Sequence, residues 1–169
     1  MSAKVILICG KIASGKSFYC ENLRKSEKAV VLSCDEITLG ILGKDLGEKH
    51  DDYTDRIKKY LYAKSLEIIE IGTNVIFDWG FWKKTDRNFA RDFFKSRNIP
   101  CEFHYIDVSD DTWKSNIDRR NREVLNGRSD AYYVDEGLMK KLNALFEAPQ
   151  KSEIDVWFCN DYIQNHDTD

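Results

Sequence analysis

Short, uniformly apolar runs alternate along the chain with longer stretches in which apolar residues fall three and four positions apart. Lys4-Val5-Ile6-Leu7-Ile8-Cys9 is apolar without alternation, the pattern of a strand buried on both faces of a parallel sheet. Ala29-Val30-Val31-Leu32, Val75-Ile76-Phe77, Phe103-His104-Tyr105-Ile106 and Ile154-Asp155-Val156-Trp157-Phe158 are similar runs, making five candidate strands. The intervening periodicity predicts helices over about 16–25, 36–42, 53–71, 85–97, 110–125 and 134–146. In the third of these, Tyr53, Ile57, Tyr60, Leu61, Lys64 and Ile68 mark one face. Strand alternating with helix predicts an α/β fold: a parallel sheet joined by right-handed crossovers, with helices on both faces. Gly43 to Asp52 and Asn126 to Tyr133 read as mobile loops, and Asn160 to Asp169 as a loosely held polar tail. One domain is therefore expected over about residues 1–159.

Composition narrows the class. A chain of 169 residues, 42% hydrophobic and 33% charged, is the size of one ordinary domain. Aromatic residues at 12%, with only 2 Pro and 9 Gly, build a core and exclude a disordered chain. Val5 to Cys9 is the longest apolar run, too short to cross a bilayer and unlike a secretory leader, so the expectation is a cytoplasmic protein with no membrane partner. Cys9, Cys20, Cys34, Cys101 and Cys159 are odd in number and contain no C-x-x-C pair, so neither a zinc site nor a disulfide framework is expected. With 26 basic against 29 acidic residues, nothing attracts polyanions globally, which argues against generic nucleic-acid binding.

The chemistry begins at Gly10-Lys11-Ile12-Ala13-Ser14-Gly15-Lys16-Ser17, which fits G-x-x-x-x-G-K-[ST] and lies between the first strand and the first helix. In this phosphate-binding loop, or P-loop, the glycines let consecutive backbone N–H groups face one point, to which the helix adds its positive dipole end. Gly10, Lys11, Ala13, Ser14 and Gly15 are thus the expected phosphate cradle of ATP, with the Lys11 side chain read as a surface charge. Lys16 is expected to reach the β- and γ-phosphates, and the Ser17 hydroxyl to ligate Mg²⁺.

Other residues choose among P-loop activities. There is no N-K-x-D run to read guanine, and the chain is too short for switch regions plus an effector domain. A compact kinase remains, which needs a base, cations around the transferring phosphoryl group and a cover that excludes water. The second strand ends Leu32-Ser33-Cys34-Asp35-Glu36, which puts Asp35 at the carboxyl edge where α/β sheets bind ligands. Asp35 is the expected general base, with Glu36 as the alternative. The competing reading makes Ser33-x-x-Glu36 a capping box and Asp35 a first-turn carboxylate. Val75-Ile76-Phe77-Asp78 closes the third strand on a carboxylate suited to the Mg²⁺ shell. Trp79-Gly80-Phe81-Trp82 follows, to wall an acceptor pocket or to cover the core. Arg119, Arg120 and Arg122, running into Gly127-Arg128, suit a lid that delivers positive charge to the transition state. The alternative is a solvated face with Asp118 paired to Arg122. Arg87 and Arg91 are weaker candidates for holding an acidic acceptor.

Gly10 to Ser17, Cys34-Asp35-Glu36, Phe77-Asp78-Trp79-Gly80-Phe81-Trp82 with Arg87, Tyr105-Ile106-Asp107-Val108, Arg119-Arg120-Asn121-Arg122, Tyr132-Tyr133-Val134-Asp135 and Phe146-Glu147-x-Pro149 together give a further signal. Over nearly its whole length the chain resembles the small P-loop kinases related to zeta toxin and chloramphenicol phosphotransferase, proteins often labelled only as ATP-binding. The resemblance implies a P-loop NTPase fold of three α/β/α layers, with a five-stranded parallel sheet in the order 2-3-1-4-5 and a helical lid over about residues 119–134. It also implies ATP and Mg²⁺ as co-substrates, Asp35 in the position of the catalytic aspartate, and Arg119 and Arg122 as lid arginines, with Arg119 also contacting the nucleotide. Relatives often space their two lid arginines four apart, whereas here the pair is Arg119 with Arg122 or Arg120 with Arg122. The resulting expectation is an ATP-dependent phosphotransferase acting on a hydroxyl of a small metabolite or antibiotic. A polynucleotide 5′-hydroxyl kinase and a nucleotide-gated ATP-binding module are the alternatives.

Overall fold

In the computed structural model, which describes residues 2–43, 46–129 and 131–161, all five strands form one sheet. The elements are β1 (Val5–Cys9), α1 (Lys16–Glu27), β2 (Ala29–Ser33), α2 (Cys34–Ile37), α3 (His50–Glu70), β3 (Asn74–Gly80), α4 (Lys84–Lys95), β4 (Cys101–Asp107), α5 (Asp110–Leu125), α6 (Glu136–Leu145) and β5 (Val156–Cys159). The strand order is β2-β3-β1-β4-β5, and every pairing is parallel. This is the α/β arrangement, and the order, expected above. It brings the carboxyl ends of β1, β2 and β3 side by side.

Burial explains the apolar runs. All five residues of β1 are fully buried, and each of its aliphatic side chains contributes roughly 1.5–3 kcal/mol to folding. One face of the sheet carries Val5, Leu7, Val75, Phe77, Phe103 and Tyr105 under Tyr62 of α3 and Phe94 of α4. The other carries Ile6, Ile8, Ile76 and Ile106 under Cys20 of α1. A third, smaller core joins Val108, Trp113, Ile117 and Val134 to Ile12 and Ala13 of the P-loop and to Leu138 and Leu142 of α6.

Three boundaries differ from the sequence reading. Gly43–Asp52 is not one open loop: Gly47–Lys49 forms a 3-10 turn and α3 starts at His50. The apolar stripe begins only at Tyr53, but Asp51 and Asp52 occupy the first turn, where the helix dipole favours carboxylates. β3 runs through Gly80, so Asp78 lies inside the strand, and its register with β1 shifts so that Ile8 faces Asp78 and Cys9 faces Gly80. The tail is anchored where it leaves the sheet: Asn160 N–H donates to Asp107 O (2.8 Å), and Asp161 Oδ1 accepts from Ser109 N–H (2.9 Å). The rest of that tail, like Lys44, Asp45 and Asp130 in the two expected loops, lies outside the described residues.

Candidate active site

The P-loop leaves β1 at Gly10 and enters α1 at Lys16, as the motif requires. Gly15 caps α1 with φ 94°, and the space its Cβ would fill is taken by the Asn160 amide. At Gly10 a Cβ would meet Ser14 Oγ at 2.8 Å and Ile106 O at 3.0 Å, so the loop can close only without a side chain there. The loop carbonyls are engaged, one from within the motif and four from outside it. Gly10 O accepts from Trp82 Nε1 (3.1 Å), Lys11 O from Lys16 Nζ (2.6 Å), Ile12 O from Trp113 Nε1 (2.8 Å), Ala13 O from Asn116 Nδ2 (3.1 Å) and Ser14 O from Asn160 Nδ2 (2.7 Å). Among the described residues, the N–H groups of Lys11, Ile12, Ala13 and Gly15 have no acceptor. A concave row of open donors at a helix N-terminus fits a phosphate chain.

Lys16, Ser17, Asp35 and Asp78 line one cleft of about 1250 Å³. Ser17 Oγ donates to Asp78 Oδ2 at 2.9 Å. Burial pushes the Asp78 carboxyl above its usual range despite the opposing Lys16 charge and the Ser17 hydrogen bond, and the nearby Asp35 charge adds to the rise. Burial likewise lowers Lys16, against the attraction of Asp78 and Asp35. Asp35 itself is exposed at the start of α2, where Ser33 caps the helix by accepting from Glu36 N–H (3.3 Å). Asp35 is thus a first-turn carboxylate of α2 that also lines the cleft, and the Ser33 half of the expected capping box is formed. A hydroxyl and a carboxylate side by side are hard oxygen donors suited to Mg²⁺. Among the described residues no group of three His, Cys, Asp or Glu could hold a metal by itself, so such an ion would draw its other ligands from phosphate and water.

Across the cleft stands α5. Asn116, Arg119, Arg120 and Glu123 line it at helical spacing, whereas Arg122 lies exposed and off the cleft. Arg122, expected from the sequence as a lid arginine, lies away from the cleft that Arg119 and Arg120 line, because a helix turns a residue two positions from Arg120 to its opposite side. Arg120 Nε donates to Tyr132 O (3.2 Å), and burial lowers its pKa against the pull of Asp35. Asn121 clips the returning chain by donating to Val134 O (2.7 Å) and accepting from Val134 N–H (2.8 Å). Tyr132 lies on the cleft close enough to feel Asp35, and its phenol is raised mainly by burial. The Lys11 side chain turns away, to Asp110 (3.4 Å) and over the Trp113 ring. Glu36 borders only a neighbouring hollow of about 680 Å³.

On the α3 side, Trp79, Phe81 and Trp82 line the cleft together with His50, Asp51, Thr54, Asp55 and Lys58. Trp79 and Gly80 belong to β3 rather than to a loop, and Phe81 doubles as core. Arg87 and Arg91 do not line the cleft and are bonded elsewhere. Arg87 is buried, donating through Nε to Glu153 (2.8 Å) and through Nη1 to the carbonyls of Phe81, Trp82 and Glu147 (3.0–3.2 Å). Arg91 Nη2 reaches Glu153 O (2.7 Å). α4 turns both toward the segment that precedes β5, where they donate to the carbonyls of Glu147 and Glu153.

Sequence reading gives no role to Trp113, Asn116 and Asn160, and names Tyr132 only within the Tyr132-Tyr133-Val134-Asp135 motif. Trp113 and Asn116 were legible in principle as one helix face with Arg119 and Arg120. Asn160 carries no sequence signal, since its role depends on β5 ending beside the P-loop.

Comparison with known proteins agrees with this architecture. Residues 5–149 match the family model described as an AAA domain. No curated protein matches the sequence. Among solved structures, a candidate kinase from Chloroflexus aurantiacus is 16% identical with TM-score 0.74, over 100% of this chain and 93% of that one. The Mycobacterium tuberculosis APS kinase CysC, in complex with AMPPNP and APS, is 17% identical with TM-score 0.66, over 95% and 90%. A chain of the Pnkp1/Rnl/Hen1 RNA repair complex is 19% identical with TM-score 0.68, over 85% of this chain and 43% of that one. At these identities the likeness is one of fold. Because the family model spans most of the chain, this protein belongs to the AAA domain family.

Proposed function

We propose that the protein is an ATP-dependent phosphotransferase that moves the γ-phosphoryl group to a hydroxyl of a small molecule. One observation carries this reading: Asp35, Asp78, Lys16 and Arg120 meet in a single cleft between an open row of P-loop N–H groups and an aromatic wall. The P-loop N–H groups and Lys16 bind the phosphates. Ser17 and Asp78 would hold an Mg²⁺ arriving with the nucleotide, and such an ion would supply neutralisation of the phosphate charge. Asp35 accepts the proton of the attacking hydroxyl. Arg120, and Arg119 beside it, meet the negative charge that develops on the transferring group. Trp79 and Trp82 shield the acceptor from water and give a ring-bearing molecule a surface to stack on.

The acceptor side supports a small, non-polyanionic substrate. It carries Asp51, Asp55 and Asp86 against Lys58 and Lys83, and Arg87 and Arg91 are committed elsewhere. A nucleic-acid end would need basic side chains along that wall. The test is a screen with γ-labelled ATP against hydroxyl metabolites, antibiotics and 5′-hydroxyl oligonucleotides. Label on a small molecule, lost in Asp35→Asn while AMP-PNP binding persists, is the expected result. Label on oligonucleotides alone favours a polynucleotide kinase. Hydrolysis indifferent to every hydroxyl compound favours a nucleotide-gated module.

A further inference from the structure

Four side chains outside the P-loop motif converge on its backbone. Trp82 comes from the loop after β3, Trp113 and Asn116 from the first half of α5, and Asn160 from the residue after β5. Each directs an N–H at a different loop carbonyl: Gly10, Ile12, Ala13 and Ser14 respectively, at 2.7–3.1 Å. In a planar trans peptide the carbonyl of one residue and the N–H of the next point to opposite sides. Holding those carbonyls outward therefore aims the N–H groups of Lys11, Ala13, Ser14 and Gly15 to the inner side. Three of these four lack an acceptor among the described residues, and the fourth, Ser14 N–H, makes only a long bond to Lys11 O (3.3 Å). Open donors facing one point repel one another, so a bare loop would relax by rotating its peptides. The four outer donors oppose that rotation.

We propose that Trp82, Trp113, Asn116 and Asn160 are positioning residues that hold the P-loop open for phosphate before any nucleotide arrives. Resting on the nucleotide-binding reading above, the assignment adds residues from three separate elements to the binding machinery. They act through the loop carbonyls and on the phosphate chain, not on the nucleobase. A preformed cradle spares the ligand the cost of ordering the loop. Asn160 is the most exposing case: it is buried, its amide fills the notch above Gly15, and an aspartate of the same shape would turn an oxygen toward Ser14 O.

The experiment is calorimetric titration of Mg²⁺·AMP-PNP and of inorganic pyrophosphate into the full chain, wild type against Asn116→Asp, Asn160→Asp, Trp82→Phe and Trp113→Phe. A hydrogen bond lost at one carbonyl corresponds to about a two- to tenfold weaker Kd for both probes, and because the donors hold one loop, pairs of variants should depart from simple multiplication. Asn160→Ala is the internal control: Asn160→Asp should weaken binding more, since alanine leaves Ser14 O without a donor but adds no facing oxygen. Independently of stability, the indole N–H proton resonances of Trp82 and Trp113, assigned from the two Phe variants, should move on titration. That of Trp157, which donates to Asp107 Oδ2 (2.9 Å), serves as reference. If folded variants bind both probes like the wild type, or the two resonances stay fixed while AMP-PNP binds, the assignment is overturned. A wild type that binds neither probe would instead overturn the functional reading itself.

Discussion

Arg87 should prove a structural residue whose loss unfolds the protein before it touches catalysis. Its side chain is 2% exposed and its partner Glu153 14%, with the Nε–Oε2 distance at 2.8 Å. Replacing it by Met keeps most of the stem and leaves the Glu153 carboxylate without its counter-charge, a loss of about 3–5 kcal/mol for a buried pair broken on one side. The carbonyls suffer unequally. Phe81 O still accepts from Cys9 Sγ (3.6 Å) and Trp82 O from Glu147 N–H (2.9 Å), so Glu147 O is the one left without a donor among the described residues. Glu147 is an exposed residue, so water can take that donor's place and the carbonyls add little. The loss of about 3–5 kcal/mol is a large share of the roughly 5–15 kcal/mol that holds a domain together. At about 2–4 °C per kcal/mol for a chain of this size, Tm should fall by about 6–20 °C.

Urea unfolding of Arg87→Met, Glu153→Gln and the double variant measures the pair directly as a cycle, with a coupling of about 2 kcal/mol or more expected. The pH dependence has a definite sign. Burial acts to raise Glu153, but the Arg87 hydrogen bond and charge, with Gln150 N–H, hold the carboxyl below its ordinary 4.5. Its contribution is therefore complete above that value and lost as pH falls through the depressed one, so the gap between wild type and Arg87→Met should close in acid. The reasoning is refuted if Arg87→Met costs less than about 1 kcal/mol while weakening acceptor binding, which would return Arg87 to the substrate.

Lys16→Ala should weaken Mg²⁺·AMP-PNP by about a hundredfold, the worth of two charge-assisted hydrogen bonds to phosphate, and calorimetry would detect its failure to do so. Arg120→Ala should lower turnover by about a thousandfold, as for an arginine that meets transition-state charge, whereas exposed Arg122→Ala should stay within about twofold; equal effects would move the lid assignment. For Asp78, burial binds the proton more tightly in the native state than in the unfolded one, so its contribution is most favourable below the ordinary 3.8 and is lost as pH rises through the raised value. Thermal melts of the nucleotide-free protein from about pH 4 to about pH 7 should accordingly turn against the wild type relative to Asp78→Asn, and a flat difference would contradict the desolvated carboxylate.

The parts of this molecule that sequence discloses are those fixed by local chemistry. β1 is legible because a strand buried on both faces has no polar positions to interrupt it, and the P-loop because its glycines answer to backbone geometry at the same few positions. Asp35 follows from the end of β2, whereas Asp78, read as the end of a strand, lies inside β3. Arginines mislead, since the same side chain suits a lid, an acceptor and a buried carboxylate. Arg87, Arg120 and Arg122 sort among inside, cleft and solvent only once α4 and α5 are rotated into place. Asn160 is illegible for a different reason: its partner Ser14 lies 146 positions away, across a sheet order in which β5 is the last strand and β1 the central one.

The direction in which Lys16 and Asp78 are perturbed argues for what the cleft is built to hold. Opposite charges that stabilise a fold hold each other in their charged forms. Here both move toward neutrality, because burial outweighs the attraction each supplies to the other. Lys16 spends its hydrogen bond on Lys11 O and Asp78 accepts one from Ser17, so neither is satisfied as an ion by its counterpart. A site shaped for its own stability would shed such a pair for apolar residues at little cost. An anion at Lys16 and a cation at Asp78 would each offset the desolvation that the nucleotide-free protein bears alone. On the phosphotransferase reading proposed above, one ligand would relieve both at once: a triphosphate, negatively charged where it meets the loop, that brings Mg²⁺ to β3.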